Sequence, residues 1–210
     1  LKVIFISLFL STIVGIIIGL SRTGNNVLLK IISSFYITII RQTPLLLQLM
    51  FWYFVGFLGL KNNFIYFSNL FKINNQGIDF FGLSLTSEFS ALIIGLSVFT
   101  SAFIGEVIRG GIVSVPKGQW ESFRSLGLSE SNGLIKVIIP QALPAIIPGL
   151  TSQYLNLAKN STLAIAIGYS DIYAINDTII NQTGRAIECF IILLLSFLML
   201  NLLITNLMET

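Results

Sequence analysis

Five stretches of this chain run for eighteen or more residues with at most one formally charged side chain each: 3–20, 34–60, 89–108, 134–158 and 188–207. An α-helix of about 20 apolar residues matches the ~30 Å hydrocarbon thickness of a bilayer. Charged residues make up 10% of the chain and hydrophobic ones 54%, where a soluble domain carries about a quarter charged residues. Too few charges are available to wet the surface of 210 residues, so most of that surface must face lipid. The sequence therefore predicts an all-α, polytopic membrane helix bundle with about five transmembrane helices, in a single domain over residues 1–208. Leu1 rather than Met opens the chain, as in a fragment or a processed piece. Residues 3–20 do not read as a signal peptide, because no small-residue cleavage pattern follows and Arg22 comes after the apolar run.

The same composition excludes several chemistries. The chain has no histidine and one cysteine, Cys189. This removes His-dependent triads, haem and metal ligation by His, and any disulfide within the chain. A net charge of +3 is too small to argue for nucleic acid. No G-x-x-x-x-G-K-S/T loop is present to cradle ATP phosphates. A membrane enzyme or electron-transfer subunit is correspondingly disfavoured, since the carboxylates are scattered.

Polar residues inside the apolar runs are the informative ones. Ser7, Ser11, Gly15 and Gly19 recur every four residues, as do Ser97, Ser101 and Gly105. Each set makes a smooth helical stripe that lets another backbone approach. The second run contains Arg41-Gln42-Thr43-Pro44, where Pro44 loosens the helix, and then Gln48, whose amide should face a neighbour or a water-filled path. Residues 61–88 alternate Asn, Gly and aromatics without a clear period and read as an external loop. Glu106 and Arg109 lie three apart near the end of the third run, so their side chains meet on a helix. They fit a boundary ion pair or a group that feels a charged substrate or gate.

Between the third and fourth runs lies the longest polar stretch that is also patterned, SVPKGQWESFRSLGLSESNGLIKVIIP over 114–140. Pro116 suits a first helical turn, and Trp120, Phe123 and Leu126 recur every three residues. Gly127 is a helix stop, and Ser129 with Glu130 opens a fresh helix. This short helix, break and second entry would present a knob to water. It fits either a helix lying on lipid or a docking surface for a soluble partner. In the fourth run Pro140, Pro144 and Pro148 share one helical face, and beyond them Gln153, Asn156 and Asn160 form a polar face that must line a partner helix or a cavity. Residues 168–187 read as a polar re-entrant or external loop, and the last run as plain apolar helix.

The order Glu121, Gly127, Val137-Ile138-Ile139-Pro140 resembles the EAA loop of ATP-binding-cassette importer permeases, written E-A-A, three residues, G, nine residues, I-x-L-P. Ser122 and Phe123 replace the alanines, but the spacing holds. VPKGQWESFRSLGLS, RQTPLLLQL and the KNSTL segment at 159–163 resemble the polar amino acid branch of that family. The likeness covers about residues 1–58 and 89–207. It implies a type I ABC importer permease core that moves polar amino acids across the bacterial cytoplasmic (inner) membrane. It implies no cofactor in this chain, ATP being bound by a separate cytoplasmic ATP-binding subunit. That subunit would grip a coupling loop at 112–136 through Trp120, Glu121, Phe123, Arg124, Gly127 and Pro140. A second permease chain, identical or homologous, and an external amino-acid-binding protein would complete the assembly. Gln48, Glu106, Gln153, Asn156 and Asn160 are the candidate substrate pathway. The same fold carrying another solute, such as methionine or a metal complex, and a non-transporting scaffold subunit are the alternatives. With loop 112–136 inside, seven basic residues (Arg22, Lys30, Arg41, Arg109, Lys117, Arg124, Lys136) lie inside and five (Lys2, Lys61, Lys72, Lys159, Arg185) outside, the sign expected of a membrane protein.

Overall fold

A computed structural model of the chain describes residues 1–24, 26–60, 65–68, 71–74, 76–80 and 83–209. It is a mostly helical bundle. Its axis is α4 (Ser87–Ser114), which packs against α1 (Lys2–Thr23), α2 (Val27–Gln42), α3 (Leu45–Met50) and α7 (Ile139–Asn160). Four helical stretches are long and apolar enough to cross a membrane: Lys2–Thr23, Ser87–Ser114, Glu130–Ile167 and Ala186–Met208. Leu45–Phe57 is a shorter apolar helix.

The two small-residue stripes face one another across α1 and α4. Ser7, Ser11, Gly15, Gly19, Ser97, Ser101 and Gly105 are all buried. A Cβ built on Gly15 would lie 2.4 Å from Ile104 Cγ2, and one on Gly19 would lie 2.8 Å from Ile108 Cβ and 2.9 Å from the Gly105 carbonyl oxygen. In return, a Cβ on Gly105 would meet Ile18 at 2.9 Å. Branched side chains of each helix thus fill the gaps left by glycines of the other, the close approach that apolar helices in lipid use for association.

The second apolar run is not one helix. α2 begins with Asn26, whose side chain accepts from the N–H groups of Leu28 and Leu29. It ends at Gln42, because Thr43 precedes a proline and is held extended at φ −104, ψ 135. At 16 residues α2 is too short to span. The chain restarts at α3, which runs on as a π-helix over Phe51–Phe57 and a 3-10 turn, Leu58–Leu60. The freed carbonyls at the break have a partner: Gln48 Nε2 donates to Ile40 O at 2.9 Å and to Thr43 O at 3.2 Å.

Where an external loop was expected, the described residues form a four-stranded antiparallel meander: β1 (Ile65–Ser68), β2 (Phe71–Asn74), β3 (Gly77–Phe80) and β4 (Leu83–Thr86). Lys61 with residues 62–64, 69–70, 75 and 81–82 lies outside the described residues. Residues 168–187, read as a polar loop, contain α8 (Ile172–Thr183). Asp171 Oδ1 caps it by accepting from Ala174 N at 2.9 Å, and Gly184 ends it at φ 70. The final helix, α9 (Ala186–Glu209), touches α7 and α8 and leaves most of its apolar surface uncovered.

Candidate functional site

The patterned polar stretch folds as its residues imply. α5 (Lys117–Ser125) follows Pro116, and Gly127 at φ 73 closes it with paired bonds, Leu128 N to Phe123 O and Gly127 N to Arg124 O. This is a Schellman motif, which needs the left-handed conformation that glycine adopts most easily. The side chain of Ser129 then accepts from Asn132 N to open α6 (Glu130–Gly133). A π-helical stretch, Leu134–Ile138, leads into α7. Pro140 at the start of α7 cannot bond back to residue 136, and the wider π turn there accommodates its ring.

Two side chains expected to face one way face differently. Phe123 is 1% exposed and so has no surface to offer a partner. Its ring sits on Gly133, where any Cβ would lie 2.2 Å from Cδ2. It shares one apolar cluster with Ile112 and Val115 behind α4 and with Ile138 and Ala142 at the entry of α7. Leu126, three residues on, has left the helix and is 79% exposed. Glu121 and Arg124 are exposed and Trp120 is half-buried. Arg124 donates to Glu130 at 2.7 and 3.3 Å, and its guanidinium lies 5.8 Å from the Trp120 ring centroid. The hydrogen bonds to Glu130 hold the Arg124 pKa above its ordinary value. Gln141 on α7 donates to Gln119 on α5 at 3.1 Å, a second tie between knob and helix.

Behind the knob, Glu106 and Arg109 meet as their spacing requires, at 2.9 and 2.5 Å. Arg22, at the end of α1, donates to the same carboxylate. Sequence spacing could not find this third member, whose only signal was a basic residue closing an apolar run. Arg41 lies over the Phe103 ring at 5.0 Å.

The remaining polar residues do not assemble into one constellation. Gln48 is engaged at the α2–α3 break, with its Oε1 buried and unpartnered. Glu106 is held by two arginines. On α7, Leu157 and Ala158 are fully buried, and Tyr154 hydroxyl bonds Thr12 at 2.8 Å, so one side of the helix packs on the bundle. Gln153, Asn156 and Asn160 make no side-chain hydrogen bond to the described residues; Asn156 is exposed and the other two are half-buried. Three amides thus stand open on an apolar helix.

A family model described as "Binding-protein-dependent transport system inner membrane component" matches residues 11–209. The chain is 36% identical over 281 residues to YhdX of Escherichia coli K12, provisionally named an amino-acid ABC transporter permease protein; the match covers 95% of this chain and 72% of YhdX. It is 54% identical over 116 residues to AapQ, a general L-amino acid transport system permease protein of Rhizobium johnstonii, covering 55% of this chain but 29% of AapQ. The fold is similar to that in a crystal structure of an amino acid ABC transporter with histidines, at a TM-score of 0.76 and 30% identity, over 99% of this chain and 86% of that one.

Proposed function

The chain belongs to the family of binding-protein-dependent transport system inner membrane components, and on that premise we propose that it is the permease subunit of an ATP-driven importer of polar amino acids. The observation that carries the proposal is the open amide face of α7. An amide that meets only hydrocarbon is costly, so Gln153, Asn156 and Asn160 need polar company outside this chain. A water-filled path shared with a second permease chain, identical or homologous, supplies it. A scaffold subunit would have no use for such a face.

In this reading the energy comes from elsewhere. ATP is bound by a separate cytoplasmic subunit, and the chain itself holds no cofactor, has no ATPase site and touches no nucleic acid. The knob at 112–136 is the grip, through Trp120, Glu121 and Arg124, with Leu126 as the exposed apolar contact and Phe123 as the internal seat. The chain lies in the bacterial cytoplasmic (inner) membrane with the knob inside. An external amino-acid-binding protein delivers cargo at the opposite end. Uptake of labelled amino acids by the reconstituted importer is the test, and it should require ATP. Absence of ATP-dependent uptake across the common polar amino acids would reject the cargo class.

Asn156→Leu separates a path from mere packing. Loss of one amide contact to cargo or its water is worth about 1–2 kcal/mol, so uptake at limiting substrate should change about tenfold. Thermal stability in detergent should move by no more than ~0.5 kcal/mol. Lower stability with unaltered uptake would assign the face to packing.

A further inference from the structure

Five of the chain's twelve basic side chains line one hollow of about 450 Å³ beside the knob. Arg22 comes from the end of α1, Lys30 from the first turn of α2, Arg109 from α4, and Lys117 and Arg124 from α5. Three carboxylates answer them: Arg22 and Arg109 share Glu106, Arg124 holds Glu130, and Glu121 lines the wall. Two positive charges are left over. Lys30 and Lys117 are exposed and pair with no carboxylate among the described residues. Each also stands in a first helical turn that has no acidic residue. The positive end of a helix dipole repels a cation and attracts an anion, so each lysine adds to a field that already lacks its counter-charge.

The position of the hollow says what supplies that counter-charge. Trp120, Glu121 and Arg124, the proposed grip, form one wall, and the ends of α1 and α2 form the other through Arg22 and Lys30. A subunit seated on the grip therefore lies over the mouth of the hollow as well. Cations covered by a partner that brings no opposite charge weaken an interface, whereas matched pairs fix its register and exclude wrong partners. We propose that an acidic segment of the ATP-binding subunit enters this hollow, its carboxylates pairing with Lys30 and Lys117. The inference rests on the permease reading and extends it in two ways. It states the charge of the partner's contact, and it widens the docking surface from the knob to the α1–α2 corner, which only the fold brings alongside.

The assembled importer would be reconstituted in nanodiscs of phosphatidylcholine, which has no net charge, and treated with a carbodiimide that joins carboxylates to amines in direct contact. Crosslinked peptides should pair Lys30 or Lys117 with aspartate or glutamate of the ATP-binding subunit. K30Q/K117Q should release that subunit at least about tenfold faster on dilution, and the difference should shrink in about 0.5 M salt. Both lysines are exposed, so the variant keeps the fold. K30R/K117R keeps the charge but offers no amine; it should hold the subunit within about twofold of the unaltered importer and lose the crosslink. Crosslinks confined to carboxylates of this chain, such as Glu121, or equal release from K30Q/K117Q and the unaltered importer, would overturn the inference. So would a lysine effect that appears only once phosphatidylglycerol is added, which would assign the hollow to lipid. Absence of ATP-dependent uptake by the unaltered importer would remove the permease reading and this inference with it; intact uptake with indifferent lysines would remove the acidic contact alone.

Discussion

Replacing Gly133 by valine should reduce ATP-driven uptake to background while the chain still inserts in normal amounts. The first atom of any side chain at residue 133 would sit 2.2 Å from Phe123 Cδ2 and 2.6 Å from Cγ. That ring cannot step aside, because it is 1% exposed and wedged into the cluster beneath α5. It must leave its seat, and α5 loses its main apolar anchor. Overpacking of this kind costs about 1–3 kcal/mol, and α5 with nine residues has no independent stability to set against that. The bundle itself should survive, since α1 and α4 meet along their own small-residue stripes, which the insertion at residue 133 does not enter. Limited proteolysis should show new cleavage confined to residues 114–134, with the indole emission of Trp120 shifted to the red. Phe123→Ala in the same chain removes the clashing ring atoms and should restore part of the uptake. Normal uptake by Gly133→Val would mean that the seat of Phe123 does not hold the knob.

Gly19→Leu should act on the fold rather than the knob. Its Cβ would meet the Gly105 carbonyl oxygen at 2.9 Å and Ile108 at 2.8 Å. Backbone cannot rotate out of the way as a side chain can, so α1 and α4 must separate along the stripe. The loss should reach ~3 kcal/mol or more, seen as a large fall in detergent thermal stability and in yield of folded chain. Gly110→Ala, on α4 but with nothing within 4 Å of the added methyl, is the matched control and should be neutral or slightly stabilising. Equal stability of the two variants would show that the stripes do not set the helix spacing.

What the sequence reveals of this molecule follows the range of its interactions. The spanning helices are legible because charge poverty is a property of each run alone. The Pro116 start, Gly127 stop and Ser129 cap of the knob are legible because capping is local, and the Glu106–Arg109 pair because three residues is one helical turn. Arg22 joins that pair only through the crossing of α1 and α4, which no local pattern states. The Trp120–Phe123–Leu126 spacing suggests one shared face, but α5 ends before Leu126, so the last side chain swings outward while Phe123 turns in. The β-meander went unread because residues 61–88 lack clean alternation. α8 was missed although Asp171 and Gly184 bound it as cap and stop; its scattered Asn, Asp and Thr residues obscured the apolar face. For the candidate path, polarity inside an apolar run does not tell apart an amide spent on a chain break, as at Gln48, from amides left open, as on α7.

The pocket under Phe123 is built by the end of α4 and the entry of α7 together, so that a force applied to the knob would reach both helices through one ring. A push on the knob would load both rods at once, since both pack on the same ring. Compliance must begin farther along, where Pro144 and Pro148 each delete a rung of the helical ladder. Bending stress would collect there, one turn short of the open amides, so that a small turn at the handle becomes a wider sweep at the far end of α7.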